Sequence, residues 1–360
     1  MSHKICVIAE AGVNHNGDFE MARRLIGAAA ATGADIVKFQ TFRSEALATS
    51  GASKAAYQVK QTGSNETQQQ MLRRLELSHD AFRALAQIAA DEGIAFLSTP
   101  FDPESLAFLV NDLGLDRIKL GSGEITNAPL LLAAARSGCD IILSTGMSTL
   151  AEVADAVGVL GFGYVAADTE APSYAAFADA LRSQAGRDAV QRHVILLHCT
   201  SQYPAPPHDA NLRAMDTLRD TFGTAVGFSD HTAGIAVSLA AAARGAVVIE
   251  KHLTLDNNLP GPDHAASLEP GEFSSLVSGI REIEQAIGTG VKDVQPSEVD
   301  TRGVARKSLV ALAAIKKGEV FADSNLGMLR PGTGISAMHY WDWLGRTAQR
   351  DYQLGEMIVE

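Results

Sequence analysis

The chain alternates between two periodicities. Short apolar runs of the strand type occur at residues 5–9, 35–40, 94–98, 117–120, 140–144, 193–198, 225–228 and 247–252. Between and after them lie Ala/Leu-rich stretches of helical period at 19–32, 79–92, 103–113, 128–137, 150–160, 211–221, 233–244 and 270–287. Strand-type and helix-type segments in strict alternation predict βα units around a parallel sheet. Eight such units are the number that closes a (β/α)8 barrel, a TIM barrel. The rival is an open doubly wound sheet, which calls for a glycine-rich phosphate turn after its first strand. The turn present, Ala11-Gly12-Val13-Asn14-His15-Asn16-Gly17, does not have the G-x-G-x-x-G spacing.

Beyond residue 287 the pattern changes. Residues 288–303 are rich in Gly, Pro, Thr and charge and read as a linker. Residues 304–360 carry short β-like segments separated by turns, which predicts a small β-rich second domain. The assignment is therefore a barrel over 1–287, a linker and a small module. Trp341 and Trp343 read as packing for that module.

Composition narrows the function. With 30 Lys+Arg against 42 Asp+Glu, the 360-residue chain has a net charge of −12. That balance speaks against nucleic-acid binding, which needs a basic face, and against attachment to anionic lipid. No apolar span is long enough to cross a membrane and no signal peptide is visible, so a cytoplasmic protein is expected. Cys6, Cys139 and Cys199 form no CxxC and read as reduced core residues.

In a barrel the chemistry sits at the C-terminal ends of the strands. Every apolar run here ends in polar or charged groups. They are Glu10; Lys38 and Gln40; Thr99; Lys119 and Ser122; Ser144; His198, Ser201 and Tyr203; Ser229 and His231; Glu250 and His252. The period of two puts Lys38 with Gln40, Ser229 with His231, and Glu250 with His252 on common faces. Lys38 and Lys119, beside Gly-Ser and Ser-Thr-Gly turns, predict a positive cradle for a phosphate and a carboxylate. His231 and His252, ending consecutive strands, suit a divalent cation, with Mn2+ first and Mg2+ or Co2+ as alternatives. His15 and His198 also lie near the mouth, and spacing alone leaves them open. His3 reads as a surface residue. Asp263, in a Pro/Gly loop after the last strand, is a candidate for sugar hydroxyls or acid–base work; the plainer reading is a turn carboxylate capping its own backbone.

These residues resemble the bacterial sialic acid synthases, the N-acetylneuraminate synthase family. The carriers are Ile8-Ala9-Glu10-Ala11-Gly12-Val13-Asn14-His15, Val37-Lys38-Phe39-Gln40-Thr41, Lys119-Leu120-Gly121-Ser122-Gly123-Glu124, Leu143-Ser144-Thr145-Gly146-Met147, Gly227-Phe228-Ser229-Asp230-His231-Thr232, Glu250-Lys251-His252 and Arg330-Pro331-Gly332-Thr333-Gly334. The resemblance spans the whole chain. It implies a barrel followed by an antifreeze-like (SAF) domain, and a domain-swapped homodimer. It also implies condensation of phosphoenolpyruvate with N-acetylmannosamine to a nine-carbon 2-keto acid and phosphate. The alternative is an N,N′-diacetyllegionaminate synthase taking a 2,4-diacetamido-2,4,6-trideoxymannose. A carbohydrate-binding protein is the non-enzyme rival. By the same resemblance His231 and His252 are the metal ligands. Lys38, Gln40, Thr99, Lys119, Ser122, Ser144 and Ser229 hold phosphoenolpyruvate, with Ser201 beside them. Glu10, Tyr203 and Asp263 meet the sugar, and Arg330 reaches the N-acetyl group in the partner's site. Glu10 is the candidate for placing water or carrying a proton.

Overall fold

A computed structural model describes residues 4–63 and 65–360. His3 lies outside the described residues. The chain divides into two compact units, Met1–Gly288 and Thr289–Glu360.

The first unit is an eight-stranded parallel barrel. Its strands are β1 (Cys6–Gly12), β2 (Ile36–Thr41), β3 (Ala95–Pro100), β4 (Arg117–Leu120), β5 (Asp140–Ser144), β6 (Val194–Cys199), β7 (Ala225–Asp230) and β8 (Val248–His252). They are ordered β3-β2-β1-β8-β7-β6-β5-β4, with β3 and β4 side by side across the seam. Helices after β1, β2, β3, β4 and β5 are capped by side chains from the sequence just before them. Asp18, Ser78, Asp102, Asn127 and Thr149 each accept a hydrogen bond from a first-turn backbone N–H.

Alternation along the strands stacks the interior. Ile8, Ile36, Leu97, Ile142, Leu197 and Val248 pack as one apolar cluster inside the ring. Two residues further along the same strands stand Glu10, Lys38, Thr99, Ser144, Cys199 and Glu250. Each polar group therefore sits about 6–7 Å above an apolar plug. Outward-facing positions such as Val37, Phe39, Leu196 and Ile249 join the larger core beneath the helices.

Several elements differ from the sequence expectation. The helix expected at 150–160 runs on as Leu150–Val165. Its glycines are there for contact: a Cβ on Gly158 would meet the Phe177 carbonyl oxygen at 2.8 Å, and one on Gly163 the Cβ of Ala135 at 2.5 Å. The helix expected at 103–113 is α-helical over Pro103–Ala107 and widens to a π turn at Phe108–Asp112. Helices Ser44–Leu47, Ala56–Thr62 and Gln68–Leu75 follow β2, and Tyr174–Arg182 and Gln184–His193 precede β6. None of these five was expected. The residues expected as linker include a helix, Val299–Ala305. All three thiols are free, but Cys6 is only partly buried.

In the second unit, β9 (Ser308–Ala311) pairs antiparallel with β10 (Leu326–Leu329). Phe321 packs against Trp343 and Tyr352, with ring centroids 5.7 and 5.8 Å apart. Trp341, expected to pack as well, is 79% exposed. No helix among the described residues is long and apolar enough to cross a membrane.

The end of the barrel opposite the strand C-termini is stapled by charge. Arg281, on the helix Pro270–Ala286, donates to the Ile5 carbonyl (2.7 Å), Glu284 (2.8 Å) and Asp35 (2.6 Å). Asp35 in turn accepts from the Val7 N–H at 2.8 Å and from Lys4 at 2.5 Å. The last helix is thereby tied to the first two strands. Replacing Arg281 by Met removes charge-assisted bonds, each worth about 1.5–3 kcal/mol. The expected result is a loss of about 2–3 kcal/mol in stability, read as a lower urea midpoint with an unchanged slope.

Candidate active site

The strand ends and the segment after β2 line a cavity of about 440 Å3. Its walls include Glu10, Lys38, Gln40, Thr99, Lys119, Ser122, Ser144, Ser201, Tyr203, Ser229, His231, His252 and Asp263. All the barrel residues proposed from the sequence thus share one cavity. Arg330 belongs to the second unit, where it is exposed just after β10.

Two buried lysines organise the floor. Lys38 is ion-paired to Glu10 and donates to Thr99 at 3.2 Å; Gln40 donates to the other Glu10 oxygen at 3.1 Å. Lys119 donates to Ser144 at 2.6 Å. Glu250 lies between the lysines, 3.6 Å from Lys38 and 3.7 Å from Lys119, and accepts from Ser229 at 2.8 Å. Ser122 accepts from the Gly146 N–H at 2.9 Å and touches the Cys199 thiol at 3.2 Å. Glycine is required at 146, where a Cβ would lie 2.4 Å from the Ser201 hydroxyl.

The ionisation states follow from this packing. Burial opposes charge on Glu250, but Lys119 and Lys38 outweigh it and hold the carboxyl down at about 2. Burial pushes Glu10 above its usual range, against the pull of Lys38 and with the push of Glu250. Burial, reinforced by Glu10, raises Asp263 to about 7. Burial lowers Lys119. Lys38 and Lys119 share the cavity with Glu10, Glu250 and Asp263, so much of the lysine charge is met by carboxyls of the barrel itself.

The two histidines end neighbouring strands with ring centroids 5.6 Å apart. His231 Nδ1 donates to the Thr200 carbonyl at 2.7 Å, which leaves Nε2 with its lone pair. His252 Nδ1 is buried without a hydrogen-bond partner and lies 4.0 Å from Asp263. Burial lowers His231 to about 4 and His252 well below its ordinary value, so both rings are neutral at pH 7. Neutral imidazoles with available lone pairs fit a divalent cation. Among the described residues no cluster of three or more His, Cys, Asp or Glu could hold an ion, so two protein ligands would leave open positions for water and substrate. His15 and His198 stand apart. His15 is fully buried with Nδ1 accepting from Gly17, and His198 bonds to the Ala210 carbonyl.

A model of the NeuB family matches residues 25–292, and one of the SAF domain matches residues 306–360. The chain belongs to the NeuB family. This NeuB-family protein is 48% identical to an N,N′-diacetyllegionaminic acid synthase from Campylobacter jejuni, over 99% of each chain. It is 42% identical to another from Legionella pneumophila, over 98% of this chain and 93% of that one. Among solved structures it resembles an N-acetylneuraminic acid synthetase from Leptospira borgpetersenii, in complex with citrate. That match has a TM-score of 0.67 and 33% identity, covering 83% of this chain and 90% of that one. The protein is a phosphoenolpyruvate-dependent, carbon–carbon bond-forming nonulosonate synthase. Enzymes of the family are generally metal-dependent.

Glu250 was placed at its strand end and on a face with His252 but given no role in the site, and the cavity residues Tyr57 and Gln58 were not singled out as site residues. Tyr57 and Gln58 lie on a helix with no apolar stripe, after β2. The Tyr57 ring lies 5.0 Å from that of Tyr203, tilted by 35°, and Tyr203 itself lies 4.2 Å from His231.

Proposed function

We propose that this protein condenses phosphoenolpyruvate with 2,4-diacetamido-2,4,6-trideoxymannose to give N,N′-diacetyllegionaminate and phosphate. The observation that carries this reading is the 48% identity over 99% of both chains to a synthase of that product. It reverses the order of the sequence expectation, in which N-acetylmannosamine came first. The cavity wall agrees with the 6-deoxy sugar. Val13, Met71, Leu72, Leu75 and Phe101 form an apolar side to which a C6 methyl is suited. The second reading, N-acetylneuraminate synthesis from N-acetylmannosamine, rests on the resemblance to the Leptospira enzyme.

In our reading Lys38 and Lys119 bind the phosphate and carboxylate of phosphoenolpyruvate, with Gln40, Thr99, Ser122, Ser144, Ser201 and Ser229 completing the cradle. The enol carbon C3 bonds to the open-chain aldehyde carbon. Water adds at C2, and phosphate leaves by C–O cleavage. Glu10 positions that water or carries its proton, a role suited to a carboxyl whose affinity for protons is raised. Tyr203 and Asp263 orient the sugar. His231 and His252 would hold the divalent ion, Mn2+ first and Mg2+ or Co2+ as alternatives; when bound, it supplies Lewis acidity toward the aldehyde. We further infer a domain-swapped homodimer in which Arg330 serves the partner's sugar site. A cytoplasmic location suits three free thiols.

Mass spectrometry of the products from phosphoenolpyruvate with each sugar decides the substrate. The diacetamido sugar should give the larger kcat/KM, and a preference for N-acetylmannosamine would reverse the assignment. Glu10→Gln, in protein shown to be folded, should lower turnover about 10²–10⁴-fold, whereas near-normal turnover removes Glu10 from the chemistry. Chelation should abolish activity and added Mn2+ restore it, and His231→Ala should no longer respond to the metal. For Arg330, mixing an Arg330→Ala protein with a Lys119→Met protein should regain activity neither has alone. Absence of that complementation argues against the swapped arrangement.

A further inference from the structure

The inward residues at the ends of β7 and β8 have outward neighbours of unusual character. Asp230 stands between Ser229 and His231, and Lys251 between Glu250 and His252. The two are register partners on adjacent strands. Their side chains form an ion pair at 3.0 Å with no exposure to solvent.

Every group on this pair is used. Asp230 Oδ1 accepts from the Thr232 N–H at 2.8 Å and from its hydroxyl at 2.7 Å. Oδ2 accepts from Ser238, on the helix Ala236–Ala243, at 2.6 Å as well as from Lys251. Lys251 also donates to the Thr232 carbonyl at 2.5 Å. Thr232 directly follows His231 and is bridged to Ala205, whose N–H donates to the His231 carbonyl at 2.8 Å. The network therefore converges on the backbone that carries His231, and one of its members is the residue before His252.

Packing alone does not call for charge here. Outward positions lower on the same strands are Val226, Phe228 and Ile249, all buried in the apolar core. A buried ion pair is a weak source of stability compared with apolar residues of similar volume, and its best-attested use is to fix register. Register matters at this place because a one-residue slip of either strand would turn its histidine out of the cavity.

We propose that the Asp230–Lys251 pair is a positioning clamp that sets the spacing of His231 and His252 for divalent-cation binding. The proposal rests on the reading that these histidines hold the ion. Asp230 and Lys251 act through the strand ends and touch neither ion nor substrate. Outer groups that orient metal ligands typically change metal affinity 10–100-fold when removed.

The test is direct Mn2+ titration of the full-length protein by calorimetry, with melting temperature measured in parallel. The charge-free pair Asp230→Asn/Lys251→Met should weaken Mn2+ binding at least tenfold while remaining folded. Lys251→Arg should stay within about threefold of the wild type. A purely structural role would lower the melting temperature and leave the affinity of the folded protein unchanged, and that result overturns the proposal. If the double variant does not fold, Ser238→Ala decides. It removes one donor to Asp230 without removing a charge, and unchanged Mn2+ affinity there also overturns the clamp. Mn2+ binding that persists in His231→Ala refutes the histidine site itself, and the clamp with it, whatever the double variant does.

Discussion

Two ammonium groups are buried in the middle of a barrel, and the site depends on how their charge is met. An unpaired buried lysine is strongly disfavoured and would shed its proton. Here Glu250 stands between Lys38 and Lys119, and Glu10 closes on Lys38 from the neighbouring strand. The carboxylates meet the lysines' charge from within the protein itself. The arrangement needs β8 beside β1 and β7, with Glu250 facing inward, which the closed ring of parallel strands provides. The lysines also keep Glu250 ionised while Glu10 and Asp263 hold protons more readily. Acid and base character are thus separated among three carboxyls within one cavity.

Most of this was legible in the chain because two signals coincide. Apolar runs of four to six residues mark the strands, and the residues that end them are polar. Period-two spacing then says which share a face. Lys38 with Gln40, and Ser229 with His231, follow from counting alone. Glu250 was visible as a strand end but its part was not, since one sequence does not say which lysines lie across the ring. The pairing of Lys38 with Glu10 escaped for the same reason, since counting along the chain does not say which charges meet across neighbouring strands. Tyr57 and Gln58 escaped because their helix Ala56–Thr62 has no buried residue and so no stripe to detect. The helix Leu150–Val165 runs past its expected end at 160, through Gly161 and Gly163. In the fold Gly158 and Gly163 are points where neighbouring chain comes too close for a Cβ.

The site joins side chains from two kinds of element. The lysines, histidines and Glu250 stand on strands with side chains almost wholly buried. Met71, Leu72 and Leu75 of the apolar wall, and Tyr57, come from the helices after β2, whereas Val13 and Phe101 follow β1 and β3. In the proposed reading the reacting groups stand on the barrel strands, and much of the wall that would meet the sugar stands on those helices. That division lets a family keep one condensation while changing its acceptor.

The apolar layer of Ile8, Ile36, Leu97, Ile142, Leu197 and Val248 has a further consequence. It stops the barrel like a cork, directly beneath Glu10, Lys38 and Glu250. The lysine floor is therefore reached from the strand C-terminal side, and whatever binds there is met from below by hydrocarbon.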